Sequence, residues 1–147
     1  MQKPSVLLVD DEKEFVEFLA KRIQERGISV EYVFSGEEAI DKIKKRLFDV
    51  VVLDIKMMGI DGVETLKQLK KLKPTMEVIM LTGHASLESG IESMKTGAFD
   101  YLVKPFDFTE LMGKINNAFA KKKETEEKIQ KEKISELVRD PWKALNE

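Results

Sequence analysis

Asp10, Asp11, Asp54, Thr82 and Lys104 carry side chains that could act together on a phosphoryl group. Each stands where an apolar run stops. Ser5 to Val9 ends in Asp10, Asp11 and Glu12, Val50 to Leu53 ends in Asp54, Val78 to Leu81 ends in Thr82, and Phe99 to Val103 ends in Lys104. Three carboxylates brought close together repel one another and raise each other's pKa unless a cation compensates. A hard divalent ion meets that need, because Mg²⁺ takes oxygen ligands, keeps several waters and is held by one or two carboxylates plus a phosphate. Thr82 can donate its hydroxyl to a phosphoryl oxygen, and Lys104 offers a flexible cation for transferred charge. Asp54 is then the natural nucleophile, taking a phosphoryl group in line to become an acyl phosphate. Taken alone, Asp54 is only a strand ending in a polar residue, as strands often do. The chemistry rests on convergence.

Convergence requires a fold that places those run ends on one edge. The short β-branched runs suit strands buried on both faces of a parallel sheet. Between them the spacing turns helical. Phe15, Phe18, Leu19 and Ile23 mark a helix over Lys13 to Arg26, with Gly27 as its stop. Ile28, Val30, Tyr32 and Phe34 alternate as a strand, and Ser35 with Glu38 forms a capping box for a helix expected to bury Ala39, Ile40, Ile43 and Leu47. Gly59 and Gly62 mark Lys56 to Asp61 as a loop that leaves Asp54 facing a crevice. Val63, Leu66, Leu69 and Leu72 make a helix stripe that Pro74 ends. Ser86 to Thr96 reads as a marginal helix, with Gly90 inside and only Leu87, Ile91 and Met94 as anchors. Leu111, Ile115, Ala118 and Phe119 form the stripe of a last packed helix. Strands alternating with helices in this way imply right-handed crossovers and a doubly wound α/β sheet, whose strands share one carboxyl edge.

The bulk numbers agree with one such unit. A chain of 147 residues, 42% hydrophobic and 35% charged, is long enough to bury a core under a highly charged surface. Lys and Arg number 25 against 27 Asp and Glu, so no basic excess favours direct nucleic-acid binding by this chain. The absence of cysteine removes thiolate catalysis and cysteine-based metal sites. No apolar stretch has the length of a signal peptide or a membrane span, so a cytoplasmic protein without membrane attachment is expected. Residues 1–120 read as the folded domain and 121–147 as a charged helical extension or linker. A heptad register from Ile115 through Phe119 and Ile129 finds charges at most seam positions, so a strong coiled coil is not expected. Ile134, Leu137, Val138, Trp142 and Leu145 form a small apolar patch near the end, and Pro141 should break the helix.

The motifs DD at Asp10 and Asp11, LDIKMMGIDG around Asp54, LTGHAS around Thr82 and FDYLVKPF around Lys104 together resemble the receiver domain of two-component response regulators. The resemblance spans Ser5 to Phe119, and the joint match of separate motifs in order is specific. It implies a flavodoxin-like (βα)5 fold with strand order 2-1-3-4-5. It further implies that Asp54 is the phosphoacceptor, with Asp11 as a direct ligand of Mg²⁺ or Mn²⁺, Asp10 acting largely through water, and the Lys56 backbone carbonyl completing the set. Thr82 and Lys104 would bind phosphoryl oxygens, and Tyr101 would be a switch aromatic that moves with Thr82. A cis peptide is expected at Lys104-Pro105, aiming the ammonium inward. His84 would tune water access to the acyl phosphate. Met58 departs from the family, which commonly has proline there; the loop gains an N–H and loses no catalytic side chain. The implied partners are a histidine kinase or phosphotransfer protein and an output protein or domain, with a homodimer on activation. The chain would be no enzyme beyond its own phosphorylation and dephosphorylation. The runner-up is a receiver cut from a longer enhancer-binding activator. A haloacid-dehalogenase-like phosphatase needs a second acid two residues after the nucleophile, where this chain has Lys56.

Overall fold

The computed structural model describes residues 2–83 and 87–145. Five strands, β1 (Ser5–Val9), β2 (Ser29–Val33), β3 (Val50–Asp54), β4 (Glu77–Thr82) and β5 (Asp100–Val103), form one sheet in the order β2-β1-β3-β4-β5. Every pairing is parallel. The expected flavodoxin-like order is therefore the observed one. The helices are α1 (Lys13–Glu25), α2 (Gly36–Lys45), α3 (Gly62–Leu72), α4 (Leu87–Thr96), α5 (Phe108–Arg139) and α6 (Pro141–Leu145).

The central strand explains the two-layered covering. All five residues of β3 are buried, and their side chains alternate between two cores. Val50 and Val52 face one core with Leu19, Ile23, Leu111 and Ile115 of α1 and α5; Val51 and Leu53 face the other with Ile43, Leu66 and Leu69 of α2 and α3. No helix among the described residues is long and apolar enough to cross a membrane.

Local signals set the helix ends. Gly27 follows α1 at φ +79 and its N–H donates to the Gln24 carbonyl at 2.8 Å, the left-handed stop that only glycine adopts without strain. The Ser35 hydroxyl accepts from the Glu38 N–H at 3.1 Å, while the Glu38 carboxylate accepts from the Phe34 N–H at 2.7 Å. The expected capping box thus forms, its return arm displaced by one residue. Asp61 caps α3 by accepting from the Glu64 N–H at 2.9 Å. α5 ends at Arg139, and Pro141 breaks it by opening α6, where Asp140 accepts from the Lys143 N–H at 3.1 Å.

Several expected anchors are not buried, Phe18, Leu47, Leu72, Ile91 and Met94 among them. The buried stripe of α1 is Val16, Leu19, Ala20 and Ile23; Phe18 stands about 100° round the helix from Leu19 and is 64% exposed. Leu47 follows the end of α2 at Lys45, so helical projection does not apply to it, and it is exposed. In α4 Ile91 and Met94 are largely exposed, while Gly90 and Ser93 face inward. Ser93 is fully buried because its hydroxyl donates back to the Ser89 carbonyl at 2.7 Å. The Leu87 side chain lies outside those described; among the described ones α4 packs through Gly90 and Ser93 and not through Ile91 and Met94.

At the amino edge of the sheet, α5 is tied to the domain beyond its apolar stripe. The Asp49 carboxylate accepts from the Ser5 N–H at 2.8 Å and pairs with Lys122 at 3.0 Å. Lys122 also reaches Glu126 at 3.1 Å, and Glu126 accepts from the Thr75 hydroxyl at 2.8 Å. Past this latch the helix is solvated, and Ile134, Leu137, Val138, Trp142 and Leu145 are all exposed.

Candidate functional site

Four strands deliver the candidate residues to the carboxyl edge. Asp10 follows β1, Asp54 closes β3, Thr82 closes β4 and Lys104 follows β5. Parallel registry makes this placement automatic, since Asp54 stands opposite Leu81, and Thr82 opposite Val103. Backbone hydrogen bonds extend the ladder past the strands, from the Lys104 N–H to the Thr82 carbonyl at 2.7 Å and from the Ile55 N–H to the Leu81 carbonyl at 2.9 Å.

Asp10, Asp11 and Asp54 each present a carboxylate oxygen within 4.8 Å of the others. Asp10 and Asp54 are buried and Asp11 is exposed. Lys104 reaches into the group, with its Nζ 2.8 Å from Asp10, 3.6 Å from Glu12 and 3.8 Å from Asp54. The Lys104-Pro105 peptide is cis. Thr82 is buried, and its hydroxyl donates to the Gly83 carbonyl at 3.1 Å. The loop after β3 turns at Gly59, φ +84, and closes when the Gly62 N–H donates to the Ile55 carbonyl at 2.8 Å. Gly62 is needed for that approach, because a Cβ there would meet the Asp54 carbonyl oxygen and the Ile55 Cα.

The electrostatics expose an unmet need for positive charge. Burial pushes the Asp54 carboxyl up to about 7 from an ordinary 3.8, and the neighbouring charge of Asp10 adds to the rise. Lys104 and the Lys56 backbone N–H pull the other way, and Asp11 raises it further. Burial works to lower the Lys104 ammonium, but its hydrogen bond to Asp10 and the charges of Asp54, Asp10 and Glu12 outweigh that, so its pKa is raised. One lysine serves three acids and does not satisfy them. Three hard oxygen donors with excess negative charge fit a divalent cation such as Mg²⁺.

Tyr101 lies on β5 opposite Met80, half buried, beside α4. A Cβ on Gly90 would come 3.5 Å from its ring, an ordinary van der Waals contact, so the Gly90 face of α4 is the one that meets the tyrosine. Met58 stands in the loop after β3 with its side chain 84% exposed. His84 lies outside the described residues. Two neighbours of the site were not legible as such in the sequence. Phe15 places its ring 4.6 Å from the Lys104 Nζ, and the Met58 N–H donates to the Asp11 carboxylate at 3.2 Å. Phe15 read only as a helix anchor, and a backbone donor has no side-chain signature.

The sequence pattern described as "Response regulator receiver domain" matches residues 6–116. The transcriptional regulatory protein ZraR of Escherichia coli O157:H7 is 37% identical over 115 residues, which are 78% of this chain and 26% of ZraR. The DNA-binding transcriptional regulator NtrC of Klebsiella pneumoniae is 35% identical over 120 residues, 82% of this chain and 26% of that protein. The chain thus spans about a quarter of the length of these relatives. Among solved structures, the receiver domain of NtrX from Brucella abortus superposes with a TM-score of 0.76 at 30% identity, covering 79% of this chain and 98% of that one. A CheY-like receiver domain protein from Methanospirillum hungatei gives 0.79 at 31% identity, over 84% and 99%. Sheet order, acidic edge and sequence match converge, and the chain belongs to the response regulator receiver domain family.

Proposed function

We propose that this chain accepts a phosphoryl group on Asp54 from a histidine kinase or phosphotransfer protein and changes conformation to control an output partner. The observation that carries the reading is the acidic group at the carboxyl edge, with Lys104 turned into it. Asp10, Asp11, Asp54 and the Lys56 backbone carbonyl would hold Mg²⁺ or Mn²⁺, which when bound supplies positive charge against carboxylate and phosphoryl oxygens. Asp54 forms the new O–P bond as the donor's P–N bond breaks, and the electron pair returns to the donor imidazole. Thr82 donates its hydroxyl to one phosphoryl oxygen and Lys104 neutralises another. His84, two residues past Thr82, tunes the access of water.

Thr82 moving toward the phosphoryl group draws Tyr101 inward, and α4, packed through Gly90 and Ser93, is the element free to shift. Residues 1–120 act as the switch and 121–147 as the link to an output function or a second copy. Whether the output lies in the same polypeptide is tested by the reading frame of the gene; relatives about three times as long favour that arrangement.

Intact-mass measurement with acetyl phosphate and Mg²⁺ should show one added phosphoryl group on the wild type and none on Asp54→Ala; equal phosphorylation of both refutes the assignment. With beryllofluoride, amide shifts should extend from Thr82 to Lys104. Changes confined to the surroundings of Asp54 refute the switch.

A further inference from the structure

The three acids of the site are not held alike. Asp10 pairs with Lys104 at 2.8 Å and accepts from the Glu12 N–H at 3.0 Å. Asp54 is fixed by its strand, by Lys104 at 3.8 Å and by the Lys56 N–H. Asp11 is exposed, and among the described residues the hydrogen bond to its carboxylate comes from a single group, the Met58 N–H at 3.2 Å. That bond crosses 47 positions of sequence and ties the tip of the loop after β3 to the start of α1. The loop is stiffened around it, closed at its base by the Gly62 N–H on the Ile55 carbonyl and turned at Gly59. The Met58 side chain lies mostly in solvent, so residue 58 serves the site through its backbone.

We propose that the Met58 backbone N–H is a positioning group that aims the Asp11 carboxylate into the cation site. The proposal rests on the reading of Asp10, Asp11 and Asp54 as that site. One Asp11 oxygen accepts the amide, and the lone pairs that remain are directed by it instead of rotating freely in water. Groups that orient a metal ligand from behind typically govern affinity by about 10 to 100-fold when removed. Proline, the residue that the family commonly carries here, has no N–H to give. The contact is therefore a property that this chain gains from its departure at position 58, and the Met58 side chain is incidental to it.

The test is a titration of the full chain with magnesium chloride, followed by backbone amide resonances, for wild type, Met58→Ala, Met58→Pro and Asp11→Ala. Met58→Ala keeps the N–H and should bind within about twofold of wild type, whereas Met58→Pro should bind about tenfold more weakly. A second measurement needs no metal. In Asp11→Ala the Met58 amide proton should lose its hydrogen-bonded downfield shift and exchange faster, which reads the bond itself, while the gap in Mg²⁺ affinity between Met58→Ala and Met58→Pro reads what the bond does for the site. Wild-type affinity in Met58→Pro, or an unmoved Met58 amide in Asp11→Ala, overturns the positioning role and leaves the cation site standing. Wild-type Mg²⁺ affinity in Asp11→Ala overturns the site and the proposal with it.

Discussion

Replacing Asp54 by asparagine should stabilise the metal-free protein, and by an amount that depends on pH. The Asp54 carboxyl titrates near 7 in the folded chain, against an ordinary 3.8, chiefly because it is buried. Below 3.8 both folded and unfolded states hold the proton, and the group contributes nothing. Between 3.8 and 7 the folded state keeps a proton that the unfolded state has lost, so stability falls as pH rises. Above 7 the penalty is complete. Three pH units at about 1.4 kcal/mol each place it near 4 kcal/mol. An asparagine amide must still find partners in the crevice, which offsets about 1 kcal/mol of the gain. Urea unfolding in EDTA should therefore show Asp54→Asn more stable than wild type by about 3 kcal/mol at pH 8, a midpoint shift of roughly 1–2 M. The difference should shrink to near zero by pH 4. A difference that is independent of pH, or a destabilised variant at pH 8, refutes the account of Asp54 as a strained buried carboxylate.

Other perturbations probe the scaffold. Gly62→Ala should cost about 1–3 kcal/mol in urea unfolding, because the new methyl meets the backbone of Asp54 and Ile55 with no side chain able to yield. Phe18→Ser should change stability by less than about 0.5 kcal/mol, while Ile23→Ala on the buried face of the same helix should cost about 2–5 kcal/mol. Lys122→Ala should speed amide exchange from Lys121 to Arg139 by about fivefold, the equivalent of about 1 kcal/mol, with strand amides unchanged. Equal exchange in the two proteins would mean that the latch to Asp49 does not hold the extension.

The sheet and its charged edge were largely legible because β3 is buried on both faces. An uninterrupted run such as Val50 to Leu53 has no exposed side to blur the pattern, and the charge after it marks the strand end. α4 was legible as a helix but not in its packing. Among its described side chains the buried positions are Gly90 and Ser93, which a search for apolar periodicity passes over, while Ile91 and Met94 satisfy the search and stay exposed. Phe18 misled for the converse reason, since an aromatic beside a true stripe looks like part of it. The rest was hidden by distance along the chain. Lys104 meets Asp10 across 94 positions, and Met58 meets Asp11 through a backbone group that every residue except proline owns.

The latch of Lys122 between Asp49 and Glu126 has a mechanical consequence. Asp49 immediately precedes β3, and Asp54 ends that strand, so the acidic carboxyl edge and the fulcrum of α5 stand at opposite ends of one rigid rod. From Glu126 to Arg139 the helix runs on for about 20 Å, and a tilt of only about 10° at the fulcrum sweeps its tip through roughly 3 Å. Such leverage works in both directions. Whatever grips the tip applies torque to the sheet, so a load at the far end biases the site as surely as the site moves the load.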